Sequence, residues 1–227
     1  MGIFGYMNGY FGVVEAQGRG SLHVHMLLRL RHMPNADEML GSLTQSQFQE
    51  KIVTYINHNI RTHLDGFDEA YVNDHEREPH ISYSRPPNPR DVNWKMEITT
   101  MERQLARAHQ VHVCKPSTCL RRDSHGKMVC KRQAPWPLVE KTIVHATGVL
   151  DLRRTYPFLN GYSPAILVCL RCNNDIKMVI FGKETKSIGG YLTNYQTKDP
   201  SKTYNMSALL GLALMYHQQH LSHLASA

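Results

Sequence analysis

The chain has 227 residues, 41% hydrophobic and 20% charged, and Lys plus Arg exceed Asp plus Glu by 26 to 19. That apolar content excludes wholesale disorder and supplies a core for one large or two small domains. No apolar run approaches the roughly 18 residues of a membrane span, and no charged-then-apolar leader is evident, so a soluble protein is expected.

The formal charge of +7, with 14 His besides, favours a polyanionic partner, nucleic acid first. Five Cys without a secretory leader point to reduced thiols or metal ligands in an intracellular compartment.

In chain order, residues 10–17 and 21–28 are two β-rich runs around Gly18-Arg19-Gly20, the pattern of a hairpin. A polar break covers residues 31–37. Thr44 with Gln47 reads as a capping box, and Phe48, Ile52, Tyr55, Ile56 and Ile60 follow at helical spacing, predicting a helix over 44–63. Residues 65–92 are poor in aliphatic side chains and contain Arg85-Pro86-Pro87-Asn88-Pro89, which reads as a linker or insertion. A second helix is predicted over 96–109. Residues 111–136 hold three of the five Cys, several basic residues and little core material, so a metal-stapled element is expected. Residues 148–155, 165–172 and 175–181 read as strands, and 185–198 and 206–224 as helices. The sum is an α+β chain, an antiparallel sheet with flanking helices and an inserted Cys/His segment. It is organised as residues 1–64, 65–140 and 141–227.

Residues two apart in a strand share a face, so His23 and His25 present two imidazoles together. A hairpin closing about Arg19 sets Glu15 across from His23, and Gln17 projects from the same face. Two neutral imidazoles with one carboxylate or amide make a three-ligand site with open positions, suited to a catalytic divalent cation. The plain alternative is a chance pair in a His-rich chain.

Tyr191, Tyr195 and Lys198 fall on one face of a helix. A phenol is a poor nucleophile until a cation stabilises the developing phenolate and the phosphate, and a metal, a phenol and a Lys together suit phosphoryl transfer. The alternative is an amphipathic helix whose Tyr residues pack. Cys114, Cys119 and Cys130, with His112 or His125, offer a four-coordinate zinc set, against unliganded thiols. Cys169 and Cys172 read as buried structural cysteines on opposite faces of a strand. Arg121, Arg122, Lys127, Lys131 and Arg132 form a basic cluster suited to phosphate contacts, and Trp94 and Trp136 are aromatic rings able to stack on bases.

Residues 12–27, with Glu15, Gln17, Arg19-Gly20, His23 and His25, resemble the E-x-Q-x-R-G-x-x-H-x-H stretch of Helitron transposases. These belong to the His-hydrophobic-His endonucleases of rolling-circle replication. His112-Val113-Cys114 with Cys119 and Cys130 resembles the family's Cys/His segment. Arg171-Cys172-Asn173-Asn174-Asp175-Ile176 is similar to its R-x-N-x-D-[IV] element, and Tyr191 to Lys198 to its Y-x-x-x-Y-x-x-K motif. The motifs occur in order over almost the whole chain.

The resemblance implies a Rep-type fold in which His23 and His25, with Glu15 or Gln17, hold Mg²⁺ or Mn²⁺. It implies that Tyr191 or Tyr195 attacks single-stranded DNA to form a 5′-phosphotyrosine link. The second tyrosine would serve strand transfer, and Lys198 would balance charge. It also implies a nuclear location in a eukaryote and a helicase domain as partner. The Rep fold usually has a strand before the metal hairpin, whereas this chain begins almost at it. No Gly-x-x-x-x-Gly-Lys-[Ser/Thr] motif is present. A transposase fragment is therefore expected, either an active nickase or a zinc-stapled nucleic-acid-binding remnant without turnover. A third reading is an unrelated hydrolase that activates water at the His-Val-His pair.

Overall fold

The computed structural model of the protein describes residues 2–16, 22–78, 80–180 and Met215. The chain divides into two compact units: Pro34–Gly182 form one, and the N-terminal hairpin belongs to the other. The expected helices over 185–198 and 206–224 lie outside the described residues, apart from Met215.

The hairpin pairs β1 (Met7–Ala16) antiparallel with β2 (Leu22–Leu30). Glu15 stands opposite His23 and Val13 opposite His25, so these four share a face, as the two-residue period requires. The other face carries Tyr10, Val14, Leu22, Val24 and Met26, all exposed.

In the Pro34–Gly182 unit, α1 (Ala36–Leu43) opens on a capping box. The Asn35 side chain accepts from the N–H groups of Asp37 and Glu38 at 3.0 and 2.9 Å, while the Glu38 carboxylate accepts from Asn35 N. The box therefore sits inside the supposed polar break. Thr44 closes α1 and does not cap α2 (Ser46–Asn59), because its hydroxyl donates back to Gly41 O at 2.7 Å. Ile52 and Ile56 are the buried stripe of α2.

Residues 65–92 are not a linker. They form α3 (Glu69–Asp74) and a 3-10 turn (Ile81–Tyr83), and Phe67, Val72 and Ile81 enter the core while Tyr83 and Val92 stay exposed. Around them pack Met101 and Leu105 of α4 (Trp94–Leu105), which continues into a π-helical turn (Ala106–Gln110), together with Leu159, Tyr162 and Leu167. Arg61 donates to both Glu102 carboxylate oxygens at 2.6 Å, and Tyr162 donates to Glu102 Oε1 at 2.8 Å. The buried carboxylate is thus satisfied from two sides, as burial demands. Burial and the adjacent Glu102 charge hold the Tyr162 phenol well above its ordinary range.

Two short antiparallel pairs follow: β3 (Leu120–Arg122) with β4 (Met128–Cys130), and β5 (Ile143–Val144) with β6 (Leu150–Asp151). The strand expected over 148–155 shrinks to β6. The expected strand over 165–172 is a helix, α5 (Pro164–Leu170). Its Pro stands in the first turn, where no N–H is needed, and Arg171 ends it in the left-handed region at φ 52°. Residues 175–180 carry no regular structure. The described residues are thus α+β with small two-stranded antiparallel sheets in place of one larger sheet. Among them, no helix is long and apolar enough to cross a membrane.

Candidate metal centre

The β3–β4 hairpin turns on Asp123, whose side chain accepts from His125 N and Lys127 N at 2.9 Å each, with Gly126 at φ 78°. A left-handed residue there suits glycine, which has no Cβ to clash. The pairing sets Leu120 opposite Cys130, which brings Cys130 beside Cys119. The loop before β3 folds back as Cys119 N and Leu120 N both donate to Lys115 O, while Lys115 N donates to Cys119 Sγ at 3.2 Å. His112 and Cys114 enter from the end of the π turn, where His112 N donates to Phe158 O at 2.8 Å.

As a result the ligand atoms of His112, Cys114, Cys119 and Cys130 all lie within 4.8 Å of one another. His112 Nε2 is 3.2 Å from Cys130 Sγ and 3.4 Å from Cys114 Sγ. A tetrahedral zinc with Zn–S near 2.3 Å and Zn–N near 2.0–2.1 Å sets its donors about 3.5–3.8 Å apart, so the group needs only small adjustments to close on an ion. The set can hold a metal ion and its donor chemistry is compatible with zinc. Of the two candidate histidines, His112 joins the cluster; His125 sits on the exposed hairpin turn.

Local electrostatics divide the two thiols Cys114 and Cys130. Burial, then the Cys130 and Cys119 sulfurs, push the Cys114 thiol up to about 11. Burial also works to raise Cys130, but hydrogen bonds from the backbone of Arg132 and Ala134 outweigh it and leave that thiol below its ordinary range. Burial and then the Arg132 charge lower His112, favouring the neutral imidazole that metals bind. Cys119, Cys130 and Ala134 are buried together, with Trp136 and Phe158 packed against them. Trp136, considered as a base-stacking ring, instead carries the Arg154 guanidinium 4.9 Å from its centroid. Burial draws that guanidinium down to about 10. No spacing rule links residues so far apart, so this support was invisible in the sequence.

Arg121, Arg122, Lys131 and Arg132 are exposed on and beside the β3–β4 hairpin, within a few residues of the cysteines. Cys169 and Cys172 are exposed, not buried: Cys169 lies in the last turn of α5 and Cys172 just past its end at Arg171.

On the β1–β2 hairpin, Glu15 Oε2 lies 3.6 Å from His25 Nε2, and the His23 and His25 rings meet edge to face at 4.6 Å. The side chain of His25 is only 10% exposed and that of Glu15 26%, so the pair sits in partial shelter. Among the described residues, however, only the Cys/His cluster gathers three or more such donors tightly enough for an ion. Gln17, Tyr191, Tyr195 and Lys198 lie outside the described residues. No protein-family model matches the chain, and no curated protein or solved structure does.

Proposed function

We propose that the chain is part of a Helitron-type Rep endonuclease that nicks and transfers single-stranded DNA through tyrosine. The observation that carries the reading is the β1–β2 register, which sets Glu15 opposite His23 and within 3.6 Å of His25 on one face. His23 and His25, with Glu15 or Gln17, would hold Mg²⁺ or Mn²⁺. Bound there, the ion would polarise a scissile phosphate. The phenolic oxygen of Tyr191 or Tyr195 forms the new bond to phosphorus. The phosphorus–3′-oxygen bond breaks, and the phenol proton ends on the freed 3′-hydroxyl. Lys198 offsets the charge that develops on the phosphate. The phosphotyrosine conserves the broken bond's energy for rejoining. In this reading zinc at His112, Cys114, Cys119 and Cys130 is structural, and a nuclear location and a helicase partner follow from the same family.

The exposed Arg121, Arg122, Lys131 and Arg132 beside the cysteine cluster favour a second reading, a zinc-stapled nucleic-acid-binding remnant that does not turn over. One assay separates the two. End-labelled single-stranded oligonucleotides are incubated with the protein and Mn²⁺ and run on a denaturing gel, beside Tyr191→Phe, Tyr195→Phe, the double variant and His23→Ala. A metal-dependent protein–DNA adduct that the double variant loses establishes the nickase. Cleavage without an adduct moves the assignment to a water-using hydrolase. Retarded but intact DNA in a native gel leaves the remnant.

A further inference from the structure

A cleft of about 590 Å³ opens between the C-terminal end of α2 and the segment that carries β5 and β6. Its lining is predominantly basic and polar: Arg61, Lys141, Arg153, the His63 ring, and the Asn57 and Thr142 side chains, with Asp65 as the one carboxylate. Thr142 donates to Asn57 Oδ1 at 2.9 Å, which occupies the amide oxygen and leaves the amide NH₂ as the group Asn57 has to offer. Arg153 N in turn donates to Thr142 Oγ1 at 3.2 Å, so the backbone fixes the hydroxyl. Asp65 meets Arg153 at 3.2 Å but is 85% exposed, so water screens much of its charge. Arg61 is anchored from behind by Glu102, through Nη1 alone. Burial, and then the charges of Arg153 and Arg61, hold His63 below its ordinary range.

We propose that this cleft binds the phosphate group of a nucleotide. Guanidinium groups, an ammonium and the amide NH₂ of Asn57 facing one concavity match phosphate oxygens, and the volume suits one nucleotide unit. The site belongs wholly to the Pro34–Gly182 unit and does not depend on the nicking reading.

The test follows the His63 ring resonances by NMR in zinc-loaded protein as inorganic phosphate, dTMP or an eight-residue oligo-dT is added. The His25→Ala variant serves as a background in which nicking is absent. A bound phosphate dianion raises the His63 pKa and shifts its ring signals, which a purely structural cleft would not do. Lys141 is exposed, so Lys141→Gln should fold normally by circular dichroism and weaken binding about tenfold. Arg153→Gln should do the same. A response to dTMP but not oligo-dT identifies a free nucleotide as the source, and a response to oligo-dT identifies a strand phosphate. A His63 signal unmoved by all three ligands overturns the proposal, as does affinity unchanged in both variants.

Discussion

Two regions of the molecule gather histidine with other donors, and they do it by different means. On the β1–β2 ribbon, strand period alone aligns Glu15, His23 and His25, with the two rings edge to face and Glu15 3.6 Å from His25. At the Cys/His cluster, a π turn, a folded loop and a tight hairpin converge, and backbone N–H groups from Lys115 and Arg132 point at the sulfurs. The second arrangement is closed and supported around its ligands, as structural metal sites are. The first brings one carboxylate within 3.6 Å of one imidazole on a single strand face.

The largest effect should come from breaking the closed site. Cys130→Ser, or a strong chelator, removes binding free energy on the order of 10 kcal/mol, much of it folding free energy of residues 111–136. Cobalt substitution should show one equivalent of thiolate charge-transfer absorption, lost in Cys130→Ser and retained in His23→Ala. A cobalt signal that depends on His23 would erase the contrast between the two regions.

Next comes the core that anchors the cluster. Glu102→Ala strips Arg61 and Tyr162 of their shared partner and should cost about 3–5 kcal/mol by denaturant unfolding. Glu102→Gln, which keeps one acceptor, should cost less. A far smaller loss, about 1 kcal/mol, is expected for Asn35→Ala at the α1 cap, with metal affinity unchanged. If that variant also weakened metal binding, the cluster would be less self-contained than its geometry implies.

The gentlest effect is a pH response. Burial lowers the folded-state values of His63 and His109, the latter also bonded to Ser82 Oγ at 2.7 Å and facing Arg77. Unfolded rings take up protons from about pH 6.5 downward while the folded ones resist. Stability should therefore fall as pH drops from about 6.5 toward the lowered folded values, and stay flat on this account above it. Melting temperatures of His63→Gln and His109→Gln between pH 5 and 7.5 should fall less steeply than those of the parent.

The hairpin was legible because one period governs most of it: fixing Glu15 across from His23 fixes the faces up to Gly9, where the register shifts. The cysteine cluster was legible from spacing and composition, but the choice of His112 over His125 needed the turn at Asp123–Gly126. The segment Ala165-Ile166-Leu167-Val168-Cys169-Leu170 reads as a strand on side-chain type, and Ser163-Pro164 before it was the overlooked start signal. Thr44 misled for a related reason, since a capping hydroxyl can serve the helix behind it as well as the one ahead. Residues 65–92 read as a linker or insertion because aliphatic side chains are sparse there. Sparse is not absent, and Phe67, Val72 and Ile81 are all spent on the core. The cleft at Arg61, His63, Lys141 and Arg153 had no local signature, because its walls come from segments some eighty residues apart.

His112 is not on a pendant loop. Gln110 O accepts from Asn160 N at 2.9 Å, Val111 bridges Leu159, and His112 N donates to Phe158 O, so one ligand is laced into the chain that carries Leu159 and Tyr162 of the core. An ion held by the cluster would therefore stabilise the hydrophobic interior along with its own ligands. The Pro34–Gly182 unit should act as a gauge of free metal, gaining about 1.4 kcal/mol of stability for each tenfold rise above the dissociation constant. Melting temperatures measured with and without added zinc should then differ, although no residue outside the cluster touches the ion.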